Sequence, residues 1–238
     1  MRAPGIVRSV PVSLPFPVPT ALRGWVDCAV DRVATAAADA WEWTMLRAAI
    51  SQERAQRRGF RAYGANTSMQ RPWRTLIGEP FIEIGSESLI APGAILAAVP
   101  YPSDPGHAII RIGDRTWLGR GLGIVAHYSV EIGDDVWFGP NVYVTDANHA
   151  YDDITKPVGL QMAQPRAVRI GSGSWIGTGA VVLAGVTIGE HVAVGANAVV
   201  NRDIPSYSVA VGNPARVVRR YEPGEGWIRP PSDRHPQP

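Results

Sequence analysis

From Ile112 onward an aliphatic residue followed by a small one returns every six positions, and few architectures tolerate that period. Ile112-Gly113, Leu118-Gly119 and Ile124-Val125 form one group, and Ile132-Gly133, Phe138-Gly139 and Val144-Thr145 form the next. After an interruption, Ile170-Gly171, Ile176-Gly177 and Val182-Leu183 run directly into Ile188-Gly189, Val194-Gly195 and Val200-Asn201. Ile84-Gly85 and Ile90-Ala91 read as an incomplete first turn. The period fits neither the 3.6-residue helix nor a long alternating strand; it suits short strands joined by tight corners that need glycine or another small residue. Three hexads then make one triangular coil, with the aliphatic position pointing inward. The position four residues on is also small or branched, as at Thr116, Val136, Val142, Ser174, Ala180, Val186, Val192 and Ala198. Coils of this kind cover each other's apolar interior, so stability comes from stacking between neighbours.

Two segments break the rhythm. Residues 97–108 contain Pro100, Pro102, Pro105 and Gly106, and residues 150–169 separate the hexad ending in His149 from the one resuming at Ile170. Both are expected to leave the coil surface as loops, where specificity is carried. Upstream, residues 20–58 are alanine-rich, lack proline and hold Trp25, Val26, Ala29, Val33, Ala36, Ala37, Ala40 and Met45 at helical spacing. One or two helices are expected there, with Trp41 and Trp43 docking the region onto the main body. The basic, glycine-containing run 57–73 reads as a connector. The resulting division is an N-terminal extension over 1–75, a β body over 76–205 and a closing segment with tail over 206–238.

The balance of 23 Lys and Arg against 21 Asp and Glu argues against nucleic acid as the main partner. A single cysteine, Cys28, permits no intrachain disulfide. The apolar stretch behind Met1 is broken by Pro11, Pro15, Pro17 and Pro19, unlike a signal peptide, and no window suggests a membrane-spanning helix. A cytoplasmic protein is the expectation.

Five histidines compete for chemistry. His235 lies in a Pro-rich tail, His191 in the corner of a regular hexad and His107 at the end of a loop, which leaves His127 and His149. His149 closes the hexad Val144-Thr145-Asp146-Ala147-Asn148-His149 immediately before the long excursion, at a coil corner with a loop arching over it. A neutral imidazole can take a proton from an alcohol near neutral pH.

The segment Val130 to Arg220 resembles the galactoside, maltose and colanic-acid acetyltransferases, in which a histidine opening this same excursion serves as general base. The resemblance rests on the hexads, on Ile170-Gly171-Ser172-Gly173-Ser174-Trp175-Ile176-Gly177 and on the closing string Val211-Gly212-Asn213-Pro214-Ala215-Arg216. It implies a mainly β fold, a left-handed parallel β-helix with a helical N-terminal extension; handedness comes from the resemblance alone, because parallel crossovers ordinarily favour the right hand. It further implies an O-acyltransferase using acetyl-CoA or another acyl-CoA, without a metal, assembled as a homotrimer with sites between subunits. His149 is then the base. Acceptor-site candidates are His127, Trp175, Asp146 and Asn148. The backbone N–H of Thr178 is a candidate to polarise the thioester, and Gly177, Gly195 and Ala196 are expected to let the pantetheine arm approach closely. Arg216 and Arg219, with Arg202 as a lesser candidate, suit the nucleotide end of CoA. The helical N-terminus and the 97–108 insertion depart from the sugar acetyltransferases and point to a larger acceptor.

A non-catalytic scaffold is the alternative reading. A carbonic anhydrase on this fold needs three zinc-binding histidines, two close together on one coil, whereas Val144 and Ile154 stand five residues either side of His149.

Overall fold

The computed structural model describes residues 20–103 and 106–229. Pro105, the tail carrying His235 and the proline-rich start of the chain lie outside them. The protein is mainly β, with two α-helices among the described residues, Thr20–Arg47 (α1) and Gln52–Arg57 (α2). Neither is long and apolar enough to cross a membrane. The chain divides into two compact units, Met1–Thr44 and Met45–Pro238. In the first, alanines and the lack of proline sustain the long helix. Trp41 and Trp43 lie on this helix.

In the second unit each strand up to Val181–Val182 pairs in parallel with the strand three places further along, so the chain visits three sheets in turn. The first sheet contains Ala62–Tyr63, Ile82–Ile84, Ile110–Ile112, Val130–Ile132, Val168–Ile170 and Thr187–Ile188. The second contains Ser68–Met69, Leu89–Ile90, Trp117–Leu118, Trp137–Phe138, Trp175–Ile176, Ala193–Val194 and Ser208–Val211. The third contains Thr75–Ile77, Ile95–Ala98, Gly123–Ala126, Tyr143–Thr145, Val181–Val182 and Val199–Val200. An antiparallel pair, Arg216–Glu222 and Gly226–Ile228, extends the second sheet. The run read as a connector therefore carries the first strands of two sheets, and the turn beginning at Ile84 is completed by Leu96.

The periodic aliphatics form the core: Ile112, Leu118, Ile124, Ile132, Phe138 and Val144 are all buried. Polar side chains inside it are paired. Ser88 Oγ donates to the Gly113 carbonyl at 3.0 Å and accepts from the Thr116 N–H at 3.0 Å. Ser174 Oγ does the same between the Gly189 carbonyl and the Val192 N–H, both at 3.1 Å. Such hydroxyls take the place of backbone partners at the corners, and among the described residues no buried side-chain nitrogen or oxygen lacks a hydrogen bond.

At the turn from the second sheet to the third, Gly121, Asn141, Gly179 and Asn197 all hold positive φ, which only glycine and asparagine adopt readily. Each glycine also leaves room for the next amide, since a Cβ at Gly121 would strike Asn141 Oδ1. Outward from the first sheet, charges alternate in register: Arg111 pairs with Glu83 and Glu131, both at 3.2 Å, and Arg169 with Glu131 at 3.1 Å. Outward from the second, Trp117, Trp137 and Trp175 stand in one row, with the first two ring centroids 5.4 Å apart.

Candidate active site

Both excursions leave the body at the same kind of turn, the one carrying the chain from the third sheet to the first. Val99 follows Ile95–Ala98, His127 follows Gly123–Ala126, and Asp146 to His149 follow Tyr143–Thr145. His127 and His149 thus belong to consecutive turns of the same series.

The two imidazoles are anchored alike. His127 Nδ1 lies 2.8 Å from the Val99 carbonyl, and His149 Nδ1 lies 3.2 Å from the Gln161 carbonyl. A carbonyl only accepts, so Nδ1 is the protonated nitrogen in each neutral ring and Nε2 keeps the lone pair. The chemically useful nitrogen is the one not tied to the backbone.

The carbonyl facing His149 is itself fixed. The return of the excursion runs antiparallel to the segment 146–150: Arg166 N–H donates to Asp146 O at 2.7 Å, Ala163 N–H to Asn148 O at 3.2 Å, and Ala150 N–H to Gln161 O at 2.9 Å. The Gln161 carboxamide accepts from the Asp153 N–H at 3.1 Å and donates to the carbonyls of Asp153 and Lys156 at 2.9 and 3.0 Å. Lys156 and a hydrogen bond from Thr155 hold the Asp153 carboxyl below its usual range. The excursion is a closed loop with internal bonding, not a slack connection.

Asp146 is fully buried. Its carboxylate accepts the backbone N–H groups of His127 at 2.9 Å and of Tyr128 and Ser129 at 2.7 Å each. It organises the neighbouring turn through the backbone it holds. Asn148 is exposed beside His149.

The other candidates fall elsewhere. Trp175 is 53% exposed on the outer face of the second sheet. Gly177, Thr178, Gly195 and Ala196 occupy turns from the second sheet to the third. Hydrogen bonds there run from Gly177 N–H to Val194 O, Gly179 N–H to Pro140 O and Asn197 N–H to Thr178 O, and leave the Thr178 N–H outside this network. The absent side chains of Gly177 and Gly195 are required by stacking: a Cβ on Gly177 would lie 2.7 Å from Ala196 N, and one on Gly195 2.8 Å from Val211. Arg202 is exposed on a turn leaving the third sheet, two strands of that sheet beyond Tyr143–Thr145. Arg216 and Arg219 lie on the antiparallel extension of the second sheet, Arg216 donating to the Ala215 carbonyl at 2.7 Å. One chain therefore gathers His127, Asp146, Asn148 and His149 on the turns that leave the third sheet, where Arg202 also lies, and holds the other donor-side candidates along the second sheet and the turns that follow it. Gln161 and Arg166 were not singled out from the sequence, because their roles arise from how the excursion folds back.

Two hexapeptide family profiles match the repeats, bacterial transferase hexapeptide (six repeats) over residues 167–202 and hexapeptide repeat of succinyl-transferase over 109–146. A probable acetyltransferase of Mycobacterium tuberculosis is 44% identical over 46% of this chain and 37% of its own length. Nodulation protein L of Rhizobium meliloti is 39% identical over 61% of this chain and 74% of its own. An N-acyltransferase of Bacillus cereus, solved with dTDP and 3-hydroxybutyryl-CoA, shares the fold with a TM-score of 0.62 at 22% identity, over 71% of this chain and 88% of that one. The chain spans 37%, 44% and 60% of the length of three acetyltransferases, named as probable or putative, that it matches. With the profiles on its repeats and three quarters of nodulation protein L matched, the chain belongs to the hexapeptide-repeat acetyltransferase family.

Proposed function

We propose that this protein is an acyl-CoA-dependent O-acyltransferase that acetylates a saccharide hydroxyl, with His149 as general base. The observation that carries the proposal is the anchored imidazole: Nδ1 faces the Gln161 carbonyl at 3.2 Å, which directs the basic lone pair to Nε2. Acyl-CoA and acceptor bind together. Nε2 takes the hydroxyl proton as the oxygen attacks the thioester carbonyl, and the imidazolium returns that proton to the departing thiolate. No acyl-enzyme is needed. The Thr178 N–H, outside the network of its turn, is a donor for the developing oxyanion. Arg216, Arg219 and Arg202 supply guanidinium groups for the CoA phosphates. His127, Asn148 and Trp175 border the acceptor, and Asp146 positions the turn bearing His127.

The reaction is assigned to the body over 76–205, read as a left-handed parallel β-helix, with 206–238 closing it. His149 follows the third sheet, whereas Trp175 lies on the second and Thr178 on the turn after it, so a cyclic trimer in which one copy supplies the base and its neighbour supplies Trp175 and Thr178 accounts for their separation. The test is a titration with acetyl-CoA followed by thiol release in the presence of a panel of saccharides. Saturable binding and acceptor-dependent release support the transferase. A folded protein that binds no acyl-CoA would leave the non-catalytic scaffold as the better reading.

A further inference from the structure

Arg166 is a guanidinium held in place without an acid. Its backbone N–H donates to Asp146 O at 2.7 Å and its carbonyl accepts from the Gly185 N–H at 3.0 Å, so both sides of its peptide are fixed. Its side chain lies across Gly185, where a Cβ would come within 3.1 Å of Cζ and Nε. Nη2 donates to the Ala184 carbonyl at 2.9 Å. Gly185, at φ 85, gives the space this arrangement needs. Arg111, Arg115 and Arg169 each pair with a carboxylate. Among the described residues none pairs with Arg166. A cation that is immobilised in advance, with guanidinium donors left over, matches the geometry of a carboxylate or phosphate ligand.

We infer that Arg166 binds an anionic group on the acceptor, so that the substrate is an acidic saccharide, a uronic acid or a sugar phosphate. The inference rests on the proposed acyl transfer at His149. Arg166 pairs with Asp146 in the same antiparallel ribbon that carries His149, whose backbone lies three residues away, or roughly 10 Å of extended chain. That separation suits an acid on the acetylated sugar or on the unit beside it. The first phosphate of CoA is about thirteen bonds from its sulfur, roughly 16 Å when extended, and so reaches past this position when the thioester lies at His149.

Ligand-observed NMR titrations of the full chain test the assignment with three probes, D-glucose, D-glucuronate and D-glucose 6-phosphate, alongside acetyl-CoA. At least one acidic sugar should bind about 10-fold or more tightly than glucose, a preference that Arg166→Gln abolishes and Arg166→Lys keeps in part, with acetyl-CoA affinity unchanged within about 2-fold. Which acid wins distinguishes carboxylate from phosphate. Equal binding of all three sugars, or no sugar binding while acetyl-CoA binds, overturns the inference. So does a loss of acetyl-CoA affinity in Arg166→Gln, which would give the guanidinium to the donor's phosphates. Failure of acetyl-CoA to bind, with the acidic-sugar preference intact, counts against the transferase reading alone. Circular dichroism of each variant keeps misfolding apart from these outcomes.

Discussion

Asp146 reaches across one turn of the fold to His127, whose backbone N–H lies 2.9 and 3.1 Å from its two carboxylate oxygens. The same carboxylate takes the next two amides, so three consecutive N–H groups converge on one buried charge. Asp146→Asn would point amide hydrogens at some of those donors. The expected loss is about 2 to 3 kcal/mol of unfolding free energy, read as a lower midpoint in urea denaturation. An unchanged midpoint would mean that the buried carboxylate does not organise this turn.

His149→Ala removes the only group proposed to accept the hydroxyl proton. Turnover should fall about 100-fold or more, while the dissociation constant for acetyl-CoA stays within about 2-fold. Calorimetry and thiol release on the same preparation separate the two quantities. Equal losses in both would make His149 a binding or folding residue.

Gln161→Ala tests the support behind that base. The side chain ties the excursion at Asp153 and Lys156, and the main-chain carbonyl of the same residue faces His149. A merely structural role predicts a lower Tm and an unchanged kcat. A positioning role predicts a kcat decrease of about 3- to 30-fold, because the imidazole tautomer and orientation are no longer held. Acetyl-CoA KM should not move.

What the sequence made legible follows from what repeats. Leu118, Phe138 and Ile176 announce one sheet because an aliphatic or aromatic residue and a glycine recur in phase, and all three are buried in neighbouring strands. Tyr63 and Met69 occupy the same inward positions with side chains outside the usual aliphatic set, and Met69 is followed by Gln70 in place of a small residue, which hid the first strands. His149 was visible because it stands where the period stops. Gln161 and Arg166 were not, since the excursion has no periodicity and its closure depends on backbone pairing that leaves no mark on residue type. Gly177 and Gly195 were noticed for the right property, small size, and the structure uses that property for the contact of one coil with the next.

Gly139→Ala follows from the same contact. A Cβ there would lie 2.5 Å from the Thr178 backbone nitrogen, closer than packed atoms approach. Separating the two turns should cost about 1 to 3 kcal/mol and lower Tm. It would also displace the proposed oxyanion donor, so kcat should fall with acceptor KM nearly constant. A variant as stable and as active as the parent would show that the turns part without consequence.

The row Trp117, Trp137 and Trp175 offers an internal control for the location of the site. The three side chains share a face and register, and are 45%, 55% and 53% exposed, so surface chemistry alone does not distinguish them. Only Trp175 runs directly into Gly177 and Thr178, the turn proposed to receive the thioester. Trp175→Ala should lower kcat/KM for the acceptor about 10-fold or more, from the loss of a large apolar contact at the reacting end. Trp137→Ala removes a ring of the same kind one coil away, together with its contact to Trp117, and should change stability by about 1 kcal/mol or less with acceptor kinetics unaltered. Thermal melts and acceptor titrations on both variants decide the matter. Equal kinetic losses would place the acceptor along the whole aromatic row, and a loss confined to Trp137 would move the site away from Thr178.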